Sequence, residues 1–170
     1  MKQIKSNYII NENSLALLPA RQIEFETIVI ETDQIIKVRK TQLELIEAAC
    51  HIECCTYDGR RNAVIHHTNF KRKVPIPTNI QKGIYFFPTH SPLDINNKWI
   101  SYQHINTIIE GSCPTKSYII FNNGLKLSVN IPYDILDRQM QRTFECMYRL
   151  KRVRNDEPSS QIKVFSYPFD

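Results

Sequence analysis

Short apolar segments that alternate with polar residues recur along most of this chain, and only two stretches carry a helical repeat instead. That contrast does most to limit the fold, because a side-chain period of two builds sheets and a period near 3.6 builds helices. "YIINENSLALLP" (residues 8–19) and "FETIVIETDQIIKVRK" (25–40) predict strands with turns at 11–13 and 32–34. "RNAVIHHTNF" (61–70), "IYFFPT" (84–89), "KWISYQHINTII" (98–109) and "KSYIIFNNGLKLSVNI" (116–131) predict more. Within the last, Asn123-Gly124 predicts a two-residue hairpin turn, because both turn positions need φ > 0. "KRKVPIPTNIQKG" (71–83) is broken by prolines and predicts a loop.

The two helical stretches are "QLELIEAACHIE" (42–53), with Thr41 as N-cap, and "PYDILDRQMQRTFECMYRLKR" (132–152). The second carries an apolar stripe of Ile135, Leu136, Met140, Phe144, Met147 and Leu150. The expected class is therefore α+β: one antiparallel-β-rich domain with two main helices, spanning residues 1–154. Residues 155–170 read as a polar linker and a short aromatic tail. Residues 28–47 and 118–137 align without gaps at an offset of 90, each reading strand, turn, strand, helix start. Either this is the ordinary look of a hairpin followed by a helix, or the chain holds a duplicated β-β-α unit.

Charge is unevenly placed. The chain carries +5, and the net is −2 over residues 1–56 against +7 over 57–170. A basic excess confined to one part argues for a polyanionic partner. With four glycines in all and no GxGxxG or GxxxxGK[ST], the common nucleotide-binding fingerprints are excluded. No stretch approaches 18 apolar residues and the N-terminus has no signal-peptide core, so no membrane association is expected. Five cysteines without a secretory signal fit reduced thiols in a cytosol.

Cys50, Cys54 and Cys55 do not have a zinc spacing, and His66 and His67 would point to opposite faces of a strand. No orienting third group marks a Cys-His nucleophile, so no catalytic residue, metal or cofactor is expected. The basic residues are more informative. Arg60 and Arg61 follow Tyr57-Asp58-Gly59, which reads as a turn projecting two arginines toward a groove. Lys71, Arg72 and Lys73 form a nearby cluster, and Arg149, Lys151 and Arg152 close the last helix as phosphate candidates. Trp99 is expected in the core rather than against a base.

Taken together, "LALLP", "YDGRRNAV", "IYFFPTHSP", "WISYQHI" and "FNNGLKLSVNIPYDIL", in this order and spacing, resemble the ComK family of competence transcription factors from Gram-positive bacteria. The resemblance implies a cytoplasmic, nucleoid-associated activator of DNA-uptake genes that binds paired A·T-rich boxes through the minor groove. It further implies a homodimer or higher assembly on DNA, and recruitment or stabilisation of RNA polymerase. Phe165, Ser166, Tyr167 and Pro168 resemble the family segment that docks on a MecA-type adaptor of a Clp protease. "SVNIPYDIL" is similar to the end of LytTR-type DNA-binding domains, which would make the two aligned segments LytTR-like halves and would turn Asn130 toward DNA. A protein–protein regulatory module without DNA contact, and a thiol- or metal-dependent enzyme, are the competing classes.

Overall fold

The computed structural model describes residues 4–155. In chain order they form β1 (Ile4–Lys5), β2 (Ser14–Pro19), β3 (Thr27–Glu31), β4 (Ile35–Val38), α1 (Gln42–Ile52) and α2 (Tyr57–Thr68). Then come β5 (Ile76–Asn79), β6 (Ile84–Pro88), β7 (Trp99–Ser101), β8 (Ile105–Glu110), β9 (Ser117–Phe121), β10 (Lys126–Val129) and α3 (Tyr133–Asn155). Seven strands make one sheet in the order β1-β4-β3-β2-β7-β6-β5, and a second sheet runs β10-β9-β8. Pairing is antiparallel except between β1 and β4. The class is α+β, as the alternation requires.

Two hydrophobic clusters fill the molecule. The larger packs α1, α2 and α3 on one face of the seven-stranded sheet, around Trp99, Phe86, Leu45 and Ile46. The smaller lies between the sheets, around Phe87, Ile100, Phe121 and Leu136. Trp99 is fully buried with Tyr57 edge-on to it at 6.5 Å, so it is a core residue as expected. The stretch 98–109 is not one strand. A 3-10 turn at Tyr102–His104 interrupts it, carries the chain from the first sheet to the second, and places Tyr102 against both clusters.

Three local readings change. Residues 61–68 belong to a helix, not a strand. Thr56 caps α2 by accepting from the Gly59 amide, Val64 and Thr68 are buried four residues apart, and Asn69 ends the helix in the left-handed region at φ 61°. Gly59 therefore sits in a first helical turn, where a Cβ would stand 3.0 Å from Thr56 Oγ1. The proline-rich stretch includes β5, which tolerates Pro77 because it is the sheet's edge strand. The β9–β10 connection is a three-residue loop, 122–124, closed by Phe121 N–H to Leu125 O, with Gly124 at φ 84° and Asn123 outside the positive-φ region.

The two aligned segments fold alike. Each is the hairpin of a three-stranded antiparallel meander, β2-β3-β4 or β8-β9-β10, that leads into a helix, α1 or α3. Their registers differ by one residue, because the first hairpin closes on the two residues 32–33 and the second on three. The two hairpin tips meet where Asn123 Nδ2 donates to Thr32 O at 2.9 Å.

Candidate nucleic-acid interface

The basic cluster 71–73 lies in the connection from α2 to β5, and its geometry follows from its carbonyl groups. A connection rich in polar backbone must find donors wherever it is buried. Here they come from side chains of the two helices. Arg149 donates to His67 O at 3.2 Å and Arg61 to Lys71 O at 3.2 Å. Arg142 donates to Arg72 O at 2.6 Å, and Gln139 Nε2 to Lys73 O at 3.0 Å. Arg142 also stacks on the Phe70 ring, 4.5 Å from its centroid. With its carbonyls held inward and Lys73 at φ 47°, the loop leaves Lys71 and Arg72 exposed and Lys73 half-buried. Burial first, and Arg138 second, hold Arg142 below its usual value.

Gln139 reaches further. It is buried, and the same Nε2 donates to Pro88 O at 3.0 Å, at the end of β6, while its Oε1 accepts from Arg142 at 2.7 Å. One amide thus joins the basic loop to the 89–98 loop. That second loop is closed by Thr89 N–H to Lys98 O, Lys98 N–H to Thr89 Oγ1, and His90 N–H to the buried Asn97 Oδ1. Gln42, in the first turn of α1, donates to Asn97 O at 2.9 Å. Lys98 Nζ donates to Ser128 O at 2.8 Å, tying the loop to β10 two residues before Asn130.

His90 marks where these pieces converge. Burial lowers its pKa, and Lys73 and Lys98 lower it further, against an opposing effect of Asp94 and of the Asn130 backbone. Lys98 is lowered by burial and then by Arg21, whose guanidinium bonds Asn96 Oδ1. Lys73 and Lys98 therefore lie near His90, Arg21 meets the 89–98 loop at Asn96, and Lys98 meets β10 close to exposed Asn130, with Asp94 the single carboxylate among the charges acting on His90.

The other sequence-derived candidates are distributed differently. Arg60 is in a helix rather than a turn, is partly buried, and its charge acts on Cys50 and Tyr85 in the interior. Its Nε is buried with no hydrogen-bond partner. Arg61 supports the basic loop from behind, while Arg149 holds the last turn of α2 and pairs with Glu145 at 2.8 Å. Lys151 lies two residues beyond Arg149, roughly 200° around the helix, and lines a separate groove of about 770 Å³ with Lys82, Phe144 and Tyr148. Arg152 is exposed beside Tyr148. Phe165, Ser166, Tyr167 and Pro168 lie outside the described residues. Sequence reasoning missed Arg21, His90, Lys98 and Gln139, none of which carries a periodic signal, whereas Arg142 is legible as part of a basic stripe at helical spacing with Arg138 and Arg149.

Other chemistry finds little support. Among the described residues no group of three or more His, Cys, Asp and Glu could hold a metal ion. Burial pushes the thiols of Cys50 and Cys146 up to about 12, which keeps them protonated at neutral pH. Cys54 is exposed and Cys55 half-buried, so of the three clustered cysteines only Cys50 is buried.

Basic side chains displayed on hydrogen-bonded loops, as at Arg21, Lys71 and Arg72, are the kind of surface that suits a polyanion. The family model described as ComK protein matches residues 5–155, and the chain belongs to the ComK family. The competence transcription factor of Bacillus subtilis (strain 168) is 26% identical over 139 residues, which cover 81% of this chain and 71% of that protein. No solved structure matches. The family is one of transcription factors, not of enzymes.

Proposed function

We propose that this protein regulates competence genes by binding A·T-rich duplex DNA through the minor groove. The observation that supports this best is the junction at Gln139, which ties the basic 71–73 loop to the end of β6, where the 89–98 loop begins. A minor groove presents narrow, strongly negative A·T stretches, and basic side chains on loops fit it better than a recognition helix would. Lys71, Arg72, Lys73 and Arg21 meet phosphates and groove edge, Lys98 adds its charge from its bond to Ser128 O, and Asn130 meets a base edge or sugar. Arg61 and Arg142 act from behind by holding the loop, Arg149 by holding the end of α2, and Arg60 acts through the core of α2. Lys151 and Arg152 serve flanking phosphates or a neighbouring protomer.

The reading extends to a homodimer or larger assembly on paired A·T-rich boxes, recruitment of RNA polymerase, and a cytoplasmic, nucleoid-associated location. Residues 165–168 are the proposed segment for a MecA-type adaptor. The test is binding to a duplex with two A·T-rich boxes, beside a G·C-rich control and a minor-groove-binding competitor. Selective binding that the competitor abolishes is expected. Equal binding to both duplexes would defeat the groove assignment.

A further inference from the structure

The 89–98 loop has an unusual surface for so well ordered a segment. Leu93 is 83% exposed and Ile95 is 72% exposed, on either side of Asp94. Ile23, fully exposed, belongs to the neighbouring 20–26 loop, which Arg21 joins to Asn96. A floppy loop could show apolar side chains without consequence. This one is closed by hydrogen bonds at 89–98, at 90–97 and at 94–97, and Asn97 is buried beneath it. Its acidic residue is engaged locally, because Asp94 Oδ1 accepts from the Asn96 amide at 2.8 Å. Two branched apolar side chains are thus held out into water on a rigid support, and such display marks a contact surface.

The surroundings decide the partner. Lys98 and Arg21 flank the loop, and Lys73 and His90 connect it to the proposed DNA face. Proteins that use the minor groove combine a cationic rim with Leu or Ile side chains pushed between base steps, which unstacks the step and lets the duplex wrap more surface. We propose that Leu93 and Ile95 form such a wedge, entering the minor groove at a base step while Arg21 and Lys73 hold the flanking phosphates and Lys98 adds its charge from behind the loop. This rests on the DNA-binding reading and assigns to it the residues that deform the duplex. Thymine-adenine steps, which unstack most easily, are the favoured sites of entry.

The experiment places 2-aminopurine at successive adenines of an A·T-rich box and follows its fluorescence, with binding measured separately by anisotropy of a distant end label. The full chain should raise the fluorescence severalfold at one step per bound copy. Leu93→Ala with Ile95→Ala should return it to the free-duplex level at saturation, with binding weakened by about tenfold or less. Phe144→Ala, an exposed apolar residue on the separate α3 groove, should leave the signal unchanged. Saturated binding with no rise at any position, or a rise that survives the double substitution, overturns the wedge alone. No binding to any duplex overturns the function reading and the wedge together. Binding to anionic phosphatidylglycerol vesicles that the double substitution abolishes, with the 2-aminopurine signal intact, would assign the two side chains to a lipid surface instead.

Discussion

Gln139→Met should destabilise the protein and loosen its DNA face at once. Methionine matches glutamine in length and flexibility, so the change removes hydrogen bonds while conserving volume. Three are lost: Nε2 to Lys73 O, Nε2 to Pro88 O, and Arg142 to Oε1. The Pro88 bond is buried, so its carbonyl is left without a partner at a cost of about 1–3 kcal/mol. The Lys73 bond is only partly buried, and water can replace part of it, so about 0.5–1.5 kcal/mol is the fair expectation there. Arg142 keeps its bond to Arg72 O and its stacking on Phe70. The sum is about 1.5–4.5 kcal/mol in urea unfolding, or roughly 3–18 °C in melting temperature for a chain of this size. Gln141→Met is the control, since Gln141 bonds only the side chain of Asp137 at the surface and should change stability by less than about 0.5 kcal/mol. At a temperature where the variant is fully folded, A·T-duplex affinity should still fall about tenfold, because the 71–73 side chains must then be ordered on binding. Stability within about 0.5 kcal/mol of the parent, with unchanged affinity, would refute the claim that one amide organises the face.

If about six cations release counterions, log K should fall against log[salt] with a slope near −5, and Arg72→Ala should reduce it by about one without changing sequence preference. Asn130→Ala should narrow the margin between A·T-rich and G·C-rich duplexes, and an unchanged ratio would remove Asn130 from the groove. Thr56→Ala should cost about 1 kcal/mol by removing the cap of α2, and an effect near zero would argue against that helix start. Glu31 is raised by burial but more strongly lowered by hydrogen bonds from Tyr8, Asn11 and Gln34, so its folded pKa lies below the unfolded one. Its stability contribution is complete above the ordinary carboxylate range and is lost as pH falls through the depressed value; Glu31→Gln should flatten that acid limb. Under a mild thiol reagent Cys54 and Cys113 should react well before Cys50 and Cys146, and simultaneous loss of all thiols would signal global unfolding.

What could be read in advance depended on whether a residue's environment was local. Thr41 as cap of α1 was legible because a capping box needs only residues 41 and 44. The two hairpins were legible because alternation is local too, although the second closes on three residues, 122–124, rather than on Asn123-Gly124 alone. Helix α2 was not, since its β-branched and aromatic residues resemble a strand while its core face is only Tyr57, Val64, Ile65 and Thr68. The decisive signals were the cap at Thr56 and the left-handed Asn69. In α3 the apolar stripe holds at Leu136 and Leu150, with Ile135, Met140 and Met147 half-buried against the two clusters, but Phe144 is 59% exposed and the buried face also takes in Gln139, Thr143 and Cys146. Polarity hides Gln139 and Thr143 from a hydrophobic pattern, yet they are buried because each finds carbonyl partners: Thr143 on Gln139 O, Gln139 on two distant loops.

The same logic explains why counting cations along the sequence overestimates the contact surface. An arginine that satisfies a backbone carbonyl contributes its charge to the field but spends its geometry on the fold, as Arg61 and Arg142 do on the loop and Arg149 does at the end of α2. The loops they hold are the elements free to meet a partner. The 89–98 loop is held at both ends by glutamine amides, from α1 through Gln42 to Asn97 O and from α3 through Gln139 to Pro88 O. Those helices end the two similar meander units, so the face forms where the units converge, and neither could hold the loop at both ends alone. Gln42→Met should therefore disturb DNA binding in the same direction as Gln139→Met while leaving the 71–73 loop in place. A variant that bound A·T-rich duplex normally would show that the α1 unit serves the core only, and that the binding face belongs to α3 and the loops it clamps.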